Sequence, residues 1–422
     1  MEIKIIMTKI IIQKIVFGGK GLSKLEDGKT CFVPYVLPNE EVEIEINKDK
    51  KNFCEATPKK ILKLNKYRIA PTCKYYTICG GCDFQHISYE YQLKLKKEAL
   101  EETLNRIAKE NIQVEKIIPS SGELFYRNKI QLKYNGEKLG FFKAESNEVV
   151  DIESCPITDE GINKAINFLK KFLKNKNFIK EIHIYKSSTE KALLKFITDE
   201  YFELNFEDFK ENFPINLSAV AIYKKHKKLK TYGTPFVFEK VNQYTFRVSI
   251  DSFFQVNKYQ IGNFINEVLE EIPEDKSLIV GDLFCGVGTL SIPIAKKVKK
   301  VFGIEISKSA VKDAKYNARI NSIDNINFYE IIADKAGDFL FGFNPDILIF
   351  DPPRTGLSKK LIKKVLELKS LRKVIYVSCY PPTLARDITL LKEGGFKLEK
   401  LKMIDMFPQT HHIEAIAVLN KL

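Results

Sequence analysis

The sequence predicts an α/β protein in which a C-terminal doubly wound, mostly parallel sheet follows a small all-β module and a mixed α+β central region. From about residue 255 onward, short apolar segments alternate with amphipathic ones, the pattern of a parallel sheet with crossover helices. Before residue 62 the apolar segments are short, β-branched and divided by turn residues. Between these regions, strand-like and helix-like segments mix without a readable topology. A length of 422 residues suggests two to four domains at roughly 100–200 residues each. The expected boundaries are 1–62, 63–250 and 251–422.

Composition excludes several classes. Hydrophobic residues make up 44% and charged residues 29%, enough apolar surface to offset ordering entropy, unlike a disordered chain. No stretch approaches the ~20 apolar residues of a spanning helix. The apolar run from Met1 to Phe17 is broken by Lys4, Lys9 and Lys14 and lacks a small-residue cleavage site. It reads as a strand rather than a secretory signal, so a cytoplasmic location and no membrane partner are expected. Lys+Arg 68 against Asp+Glu 54 leaves a net charge of +14, which suits a polyanionic partner such as nucleic acid. Only eight of those 68 are arginine, so a general lysine bias explains the same excess. Two lysine runs, 224–230 and 296–300, concentrate it.

In the first region, strands are expected at 10–17, 29–33 and 41–46, separated by turns at Gly18-Gly19-Lys20-Gly21, Asp27-Gly28 and Pro38-Asn39. A cysteine-rich segment follows. The chain has eight cysteines, which stay reduced in a cytoplasmic protein, so clustering points to a metal or a reactive thiol. Cys73, Cys79 and Cys82 lie close together, and Cys79-Gly80-Gly81-Cys82 forms a knuckle on which two thiolates converge. Cys155, followed by Pro156, is the candidate fourth ligand. One knuckle with two outlying cysteines suits a four-cysteine iron–sulfur cluster. Zinc more often takes paired knuckles but stays open on spacing alone. Next, Ser88 is placed to cap a helix in which Tyr91, Leu95, Ala99, Leu100, Leu104 and Ile107 recur at helical spacing. The central region shows strands at 129–134, 182–185 and 219–223, and a helix at about 158–174.

The C-terminal strands are expected at 278–284, 300–306, 326–333, 346–350 and 374–379, with a closing pair at 396–406 and 413–419. Ligands of such folds sit at the carboxyl ends of strands. The first strand ends in Asp282-Leu283-Phe284-Cys285-Gly286-Val287-Gly288-Thr289, whose glycines allow close approach of a ligand. The second ends in Glu305, a carboxylate suited to both ribose hydroxyls of a nucleoside. The third ends in Ala333-Asp334, suited to an adenine amino group. No phosphate-binding glycine motif is present, so S-adenosylmethionine fits this pocket better than NAD or ATP.

The fourth strand ends in Asp351-Pro352-Pro353-Arg354, where two prolines hold the chain rigidly. Amino-methylating enzymes place an aromatic after a similar Pro-Pro, so Arg354 argues against that chemistry. The fifth ends in Ser378-Cys379. Carbon 5 of uracil becomes nucleophilic only after a group adds at carbon 6. A thiolate adding there lets carbon 5 attack a sulfonium methyl, and a base must then remove the proton on carbon 5. Cys379, Glu414 and Gln255, with Asp351 and Arg354, supply this set. Apolar neighbours of Glu414 are expected to raise its pKa. His411 and His412 are expected to orient Glu414 or to meet phosphate.

Taken together, these residues resemble the RNA (uracil-5-)-methyltransferases of the ribosomal RNA-modifying branch. The resemblance covers nearly the whole chain. It rests on Cys79-Gly80-Gly81-Cys82 with Gln85-His86, on Asp251-Ser252-Phe253-Phe254-Gln255-Val256-Asn257, and on 282–289. It also rests on Asp351-Pro352-Pro353-Arg354, Ser378-Cys379, and Phe407-Pro408 with His412-Ile413-Glu414. It implies a Rossmann-like methyltransferase domain, with Cys379 as nucleophile and Glu414 as the base that releases product. It also implies that Gln255, Phe284, Gly286, Thr289, Glu305, Asp334 and Asp351 surround S-adenosylmethionine and the target base. A [4Fe–4S] cluster on Cys73, Cys79, Cys82 and Cys155, and a TRAM-like, OB-like RNA-binding barrel at the N-terminus, are implied as well. Tyr380 departs from the family, where Asn commonly follows the cysteine. On this reading Tyr126 and Arg127 are candidate RNA contacts, Phe253 and Phe254 are core or base-stacking residues, and the partner is RNA, ribosomal rather than transfer RNA, bound by a monomer. The alternatives are a tRNA uridine-5 methyltransferase, an RNA cytosine-5 methyltransferase and a non-catalytic RNA-binding cluster protein.

Overall fold

The computed structural model describes residues 7–422; the start of the apolar N-terminal run, 1–6, lies outside the described residues. The first module is a six-stranded sheet of β1 (Met7–Ile11), β2 (Lys14–Ile15), β3 (Gly21–Lys24), β4 (Thr30–Val33), β5 (Glu41–Asp49) and β6 (Phe53–Lys63), ordered β1-β5-β6-β4-β3-β2. Alternation drives it: Val42 and Ile44 enter the core with Ile12, Cys31, Val33 and Cys54, while Glu41 and Glu43 stay at the surface. The strand expected at 10–17 is two short strands. Ile12 breaks the run because its N–H turns to the Glu40 carbonyl and its carbonyl to Asn39. Gly21, expected in a turn, opens β3.

Helix α1 (Tyr89–Ala108) forms where expected, but the Ser88 hydroxyl makes no capping bond and is buried without a partner. Its apolar face (Ala99, Leu100, Leu104) packs into the C-terminal layer, and β7 (Lys116–Ile118) joins the edge of that layer's sheet.

The chain then builds a seven-stranded sheet from β8 (Lys129–Tyr134), β9 (Leu139–Phe142), β10 (Val149–Asp151), β11 (Ile179–Lys186), β12 (Lys191–Thr198), β13 (Asn216–Lys224) and β14 (Lys227–Gly233), ordered β10-β9-β8-β11-β12-β13-β14. Helices α2 (Glu160–Phe172) and α3 (Phe206–Asn212) cover one face, over Ile130, Leu132, Ile182, Ile184 and Phe196. A hairpin, β15 (Phe236–Val241) and β16 (Tyr244–Ser249), packs on part of the other.

The C-terminal layer comprises α4 (Ile261–Glu270), β17 (Asp275–Leu283), α5 (Ser291–Ala295), β18 (Val298–Glu305), α6 (Lys308–Ile320), β19 (Ile326–Glu330), α7 (Gly337–Phe343), β20 (Ile347–Phe350), α8 (Lys359–Leu366), β21 (Lys373–Ser378), α9 (Pro381–Glu393), β22 (Phe396–Ile404) and β23 (Glu414–Lys421). The order is β19-β18-β17-β20-β21-β23-β22-β7. Strands β17 to β21 are parallel, and β23 runs antiparallel to β21 and β22. Helices on both faces explain why β20 is buried throughout. The strand order reverses between β17 and β20, so a crevice opens at their carboxyl ends. No helix among the described residues is long and apolar enough to cross a membrane.

Candidate active site

One cavity of about 890 Å³ opens at the carboxyl ends of β17, β18, β20 and β21. It is lined by Gln255, Phe284, Gly286, Glu305, Asp334, Asp351, Cys379 and Glu414. Thr289 is set apart, in a small adjoining cavity behind Phe284 and Gly286.

Each group is fixed by its strand end. The Glu305 carboxylate accepts the backbone N–H of Gly286 at 3.1 Å and of Ser307 at 2.7 Å, so it faces the crevice in one orientation. Gly286 adopts φ +53°, and a Cβ placed there would meet nothing within 4 Å, so open space lies directly above the backbone. Asp334 is not at a strand end: β19 stops at Glu330, and Asp334 sits in a following 3-10 turn. The apolar run Ile331-Ile332-Ala333 reads as strand but bends over the cavity instead. The Asp334 carboxylate accepts the Ser358 hydroxyl at 2.6 Å.

Cys379 occupies the turn between β21 and α9, with Pro381 opening the helix. Burial pushes its thiol up to about 11, and the carboxylates of Glu414 and Asp351 add to the rise, while Arg354 opposes it. Glu414 opens β23 and is buried. Burial, then Asp351, holds its carboxyl well above the usual carboxylate range. Asp351 is pushed up to about 7 by burial. Two buried carboxyls and a thiol therefore share one uncompensated pocket, an environment that stabilises an incoming cation. The cavity walls also carry large apolar groups left exposed, Ile306 at 63%, Ile332 at 45% and Phe253 at 60%.

The loop leading to Glu414 is tied down from several elements. Lys96 of α1 pairs with Asp405 at 2.7 Å, both buried, and donates to the Phe407 carbonyl at 3.0 Å. The Tyr126 hydroxyl donates to the Pro408 carbonyl, and Asn257 to Met406. Tyr126 is fully buried, so it holds this loop and does not face solvent as an RNA contact would. Phe254 is buried, whereas Phe253 projects from the rim. His411 pairs with Asp83 and His412 lies 3.3 Å from Arg354; among the described residues neither bonds to Glu414, contrary to the expected orienting role.

A second cavity, of about 500 Å³, is lined by Cys73, Cys79, Cys82 and Cys155. All four are free thiols, and burial raises each of Cys73, Cys79 and Cys82. The knuckle is bonded to β9 through Gly80 N–H to Phe142, and a Cβ on Gly80 would lie 3.0 Å from the Ala144 backbone. The side chain of Asn163 on α2 holds Cys155 through its N–H at 2.8 Å. Among the described residues no group of three or more Cys, His, Asp or Glu side chains is arranged to hold a single metal ion. Arg127 lines this cavity and donates to the Lys129 carbonyl, with no carboxylate partner among the described residues.

The model of the tRNA (uracil-5-)-methyltransferase family matches residues 88–422. The chain belongs to this family. Residues 9–59 match a TRAM domain. An RNA methyltransferase of Aquifex aeolicus is 39% identical over 97% of this chain and 98% of its own length. One of Thermotoga maritima is 33% identical over 98% and 99%. Among solved structures, the Pyrococcus abyssi tRNA (uracil-54, C5)-methyltransferase in complex with S-adenosyl-L-homocysteine superposes with a TM-score of 0.78 at 26% identity, over 98% of this chain and 100% of that one. The protein is thus an S-adenosylmethionine-dependent RNA uracil-5-methyltransferase with an N-terminal TRAM domain and a Rossmann-like catalytic layer.

For this methyltransferase, sequence reasoning missed several site residues. Ile306 and Ile332 lay inside the expected strands 300–306 and 326–333 but were given no role, although each lies close to a residue that was. Asp282, pushed up to about 7 chiefly by burial and bonded to Ser291, supports the floor of the site. Lys96 and Asp405 carried no local signal at all.

Proposed function

We propose that this enzyme methylates carbon 5 of a uridine in RNA through a covalent adduct on Cys379, with Glu414 as the base. The observation that carries the reading is the single cavity shared by Cys379, Glu414, Asp351, Gln255, Glu305 and Asp334. When bound there, S-adenosylmethionine supplies an electrophilic methyl group on a positively charged sulfur. Glu305 would hold its ribose, Asp334 the adenine amino group, and the open space over Gly286 the ligand's approach. The positive charge would draw Asp351, Glu414 and the thiol toward their ionised forms. The Cys379 thiolate then forms a bond to carbon 6 of uracil, moving the ring's π pair onto carbon 5 and oxygen 4. Gln255, whose amide has no partner among the described residues, is placed to bind the ring's carbonyl and imide edge. After carbon 5 takes the methyl, the Glu414 carboxylate accepts the carbon-5 proton. The 5,6 double bond re-forms and the carbon–sulfur bond breaks with its electron pair going to sulfur, releasing the Cys379 thiolate.

Incubation with S-adenosylmethionine and RNA containing 5-fluorouridine tests this. Fluorine cannot leave as a proton, so a denaturant-stable adduct on Cys379 is expected, and an adduct elsewhere or none would refute it.

We also propose that Cys73, Cys79, Cys82 and Cys155 hold a [4Fe–4S] cluster. Four free cysteines line one cavity, a donor set that suits a cubane in which each iron takes its own thiolate. The reaction needs no electron transfer, so the cluster's role is structural or RNA-positioning. Protein produced with iron and sulfide should show a broad visible absorbance that Cys155→Ser loses. Ribosomal RNA remains the proposed substrate, on the resemblance of the sequence motifs to the ribosomal RNA-modifying branch. Methyl transfer to ribosomal and transfer RNA transcripts, compared directly, decides it. A single chain carries every proposed site residue, which supports action as a monomer, and eight free thiols support a cytoplasmic setting.

A further inference from the structure

The central sheet carries a third cavity, of about 230 Å³, on the side away from α2 and α3, walled by Lys129, Gln131, His183, Lys195, Asp251 and Phe253. Register explains its polarity. Gln131 stands opposite His183, and His183 opposite Lys195, so three strands set their polar side chains in one row. Their apolar neighbours Ile130, Leu132, Ile182, Ile184 and Leu194 are committed to the core beneath the helices. A period of two then forces the row to the opposite face. The β15–β16 hairpin covers that face around Tyr185 and Leu193 but leaves the row open.

The charges on this face do not cancel. Lys195 and Lys228 share Asp251, at 2.8 and 2.6 Å, and Lys133 and His183 both engage Glu181. Among the described residues Lys129 pairs with no carboxylate: its ammonium lies 5.6 Å from the Tyr185 ring centre and 3.5 Å from the Ser252 carbonyl. Four lysines thus face two carboxylates. Burial, then repulsion from Lys195, brings the Lys129 ammonium down to about 8, and a bound anion would relieve both. The trough also leads somewhere. Phe253 borders it, the cysteine cavity and the catalytic cavity alike, and Asp251 borders the first and last.

We infer that the row of Lys129, Gln131, His183 and Lys195 binds a backbone phosphate of the substrate RNA strand, next to the nucleotide delivered past Phe253 into the catalytic cavity. Charge complementarity and continuity with that cavity select the occupant. Non-bridging phosphate oxygens accept from the Lys129 ammonium and the Gln131 amide, while His183, turned to Glu181, walls the trough. The inference rests on RNA as substrate and not on the adduct chemistry.

Binding of a fluorescein-labelled single-stranded oligouridylate, titrated over salt concentration, tests it. Lys129→Met should weaken binding about fivefold and shallow the slope of log Kd against log salt by about 0.7, one phosphate contact on a single strand. Lys171→Met removes an equal charge from an exposed position on α2, across the sheet, and should leave the slope nearly unchanged. Gln131→Glu, at an exposed position, should weaken binding more than Lys171→Met. Equal effects of the two lysine variants, or no effect of Lys129→Met in protein with an unaltered melting temperature, would overturn the site. Because binding is read without cofactor and in a Cys379→Ala background, failure of the adduct mechanism leaves this result standing, and the reverse holds.

Discussion

Asp83, the residue after the last cysteine of the knuckle, accepts the backbone N–H of His411 at 2.7 Å and also pairs with its imidazole. Glu414 lies three residues further on. The N–H groups of Asp83 and Phe84 donate in turn to the Gln409 carbonyl. The loop that aims the proposed base is therefore bonded directly to the cysteine segment.

Loosening that attachment should slow catalysis without abolishing cofactor binding. Asp83→Ala is expected to lower kcat about ten- to hundredfold, the cost of a misplaced catalytic group. Asp83→Asn, which keeps an acceptor, should lose less. Steady-state methyl transfer with S-adenosylmethionine varied would show kcat falling while the cofactor KM holds. An unchanged kcat in Asp83→Ala would show that the loop is positioned by its other bonds.

Replacing the base should trap the reaction after methyl transfer. Glu414→Gln leaves the carbon-5 proton without an acceptor, so methylated RNA should stay bonded to Cys379 even with ordinary uridine. Denaturing electrophoresis of enzyme with radiolabelled RNA reads this directly. Release of product at the wild-type rate would assign the proton to another group, with Asp351 the nearest candidate.

Lys96 and Asp405 form a pair buried on both sides. Lys96→Met strands the Asp405 charge in the interior and should cost about 3–5 kcal/mol. Adding Asp405→Asn should recover much of that loss. Denaturant midpoints for the wild type and the single and double variants give the comparison.

Asp282 supplies a pH dependence. Its carboxyl is pushed up to about 7 by burial first, with Asp351 and Glu305 adding to the rise. A carboxyl that holds its proton more tightly when folded contributes fully below its unfolded value, about 4. That contribution is lost as pH rises through the folded value. Melting temperature of the cofactor-free protein should thus fall between about pH 4 and 7, and Asp282→Asn should flatten that fall.

The catalytic layer was legible because each strand, loop and helix there is contiguous in sequence. Cys379, Asp351 and Glu305 are named by their place at strand ends, and every expected C-terminal strand but β19, which stops three residues early, ends within two residues of expectation. Asp334 was misplaced because an apolar run that lines a cavity has the same composition as one buried in a sheet. Strands β3 and β6 were missed because β3 is only four residues with Gly21 and Ser23 in it, and β6 carries Pro58 and three lysines, so their pairing partners decide their state. The roles of Lys96 and Tyr126 could not be read locally at all. A lysine in an amphipathic helix reads as surface until the loop that buries it, some three hundred residues away, is in place.

The position of α1 and β7 at the far edge of the C-terminal layer bears on how the chain is made. Both leave the ribosome long before β22 and α9, against which they pack. Until then α1 exposes Leu100 and Leu104, and Lys96 waits for a partner 309 residues downstream. The TRAM module and the central sheet close their own hydrogen bonds early, whereas the catalytic layer cannot close until synthesis is nearly finished. A chain that stops short of α9 and β22 would leave both the β7 edge and the α1 face uncovered, so truncated products should be recognised and degraded instead of accumulating as partly folded RNA binders.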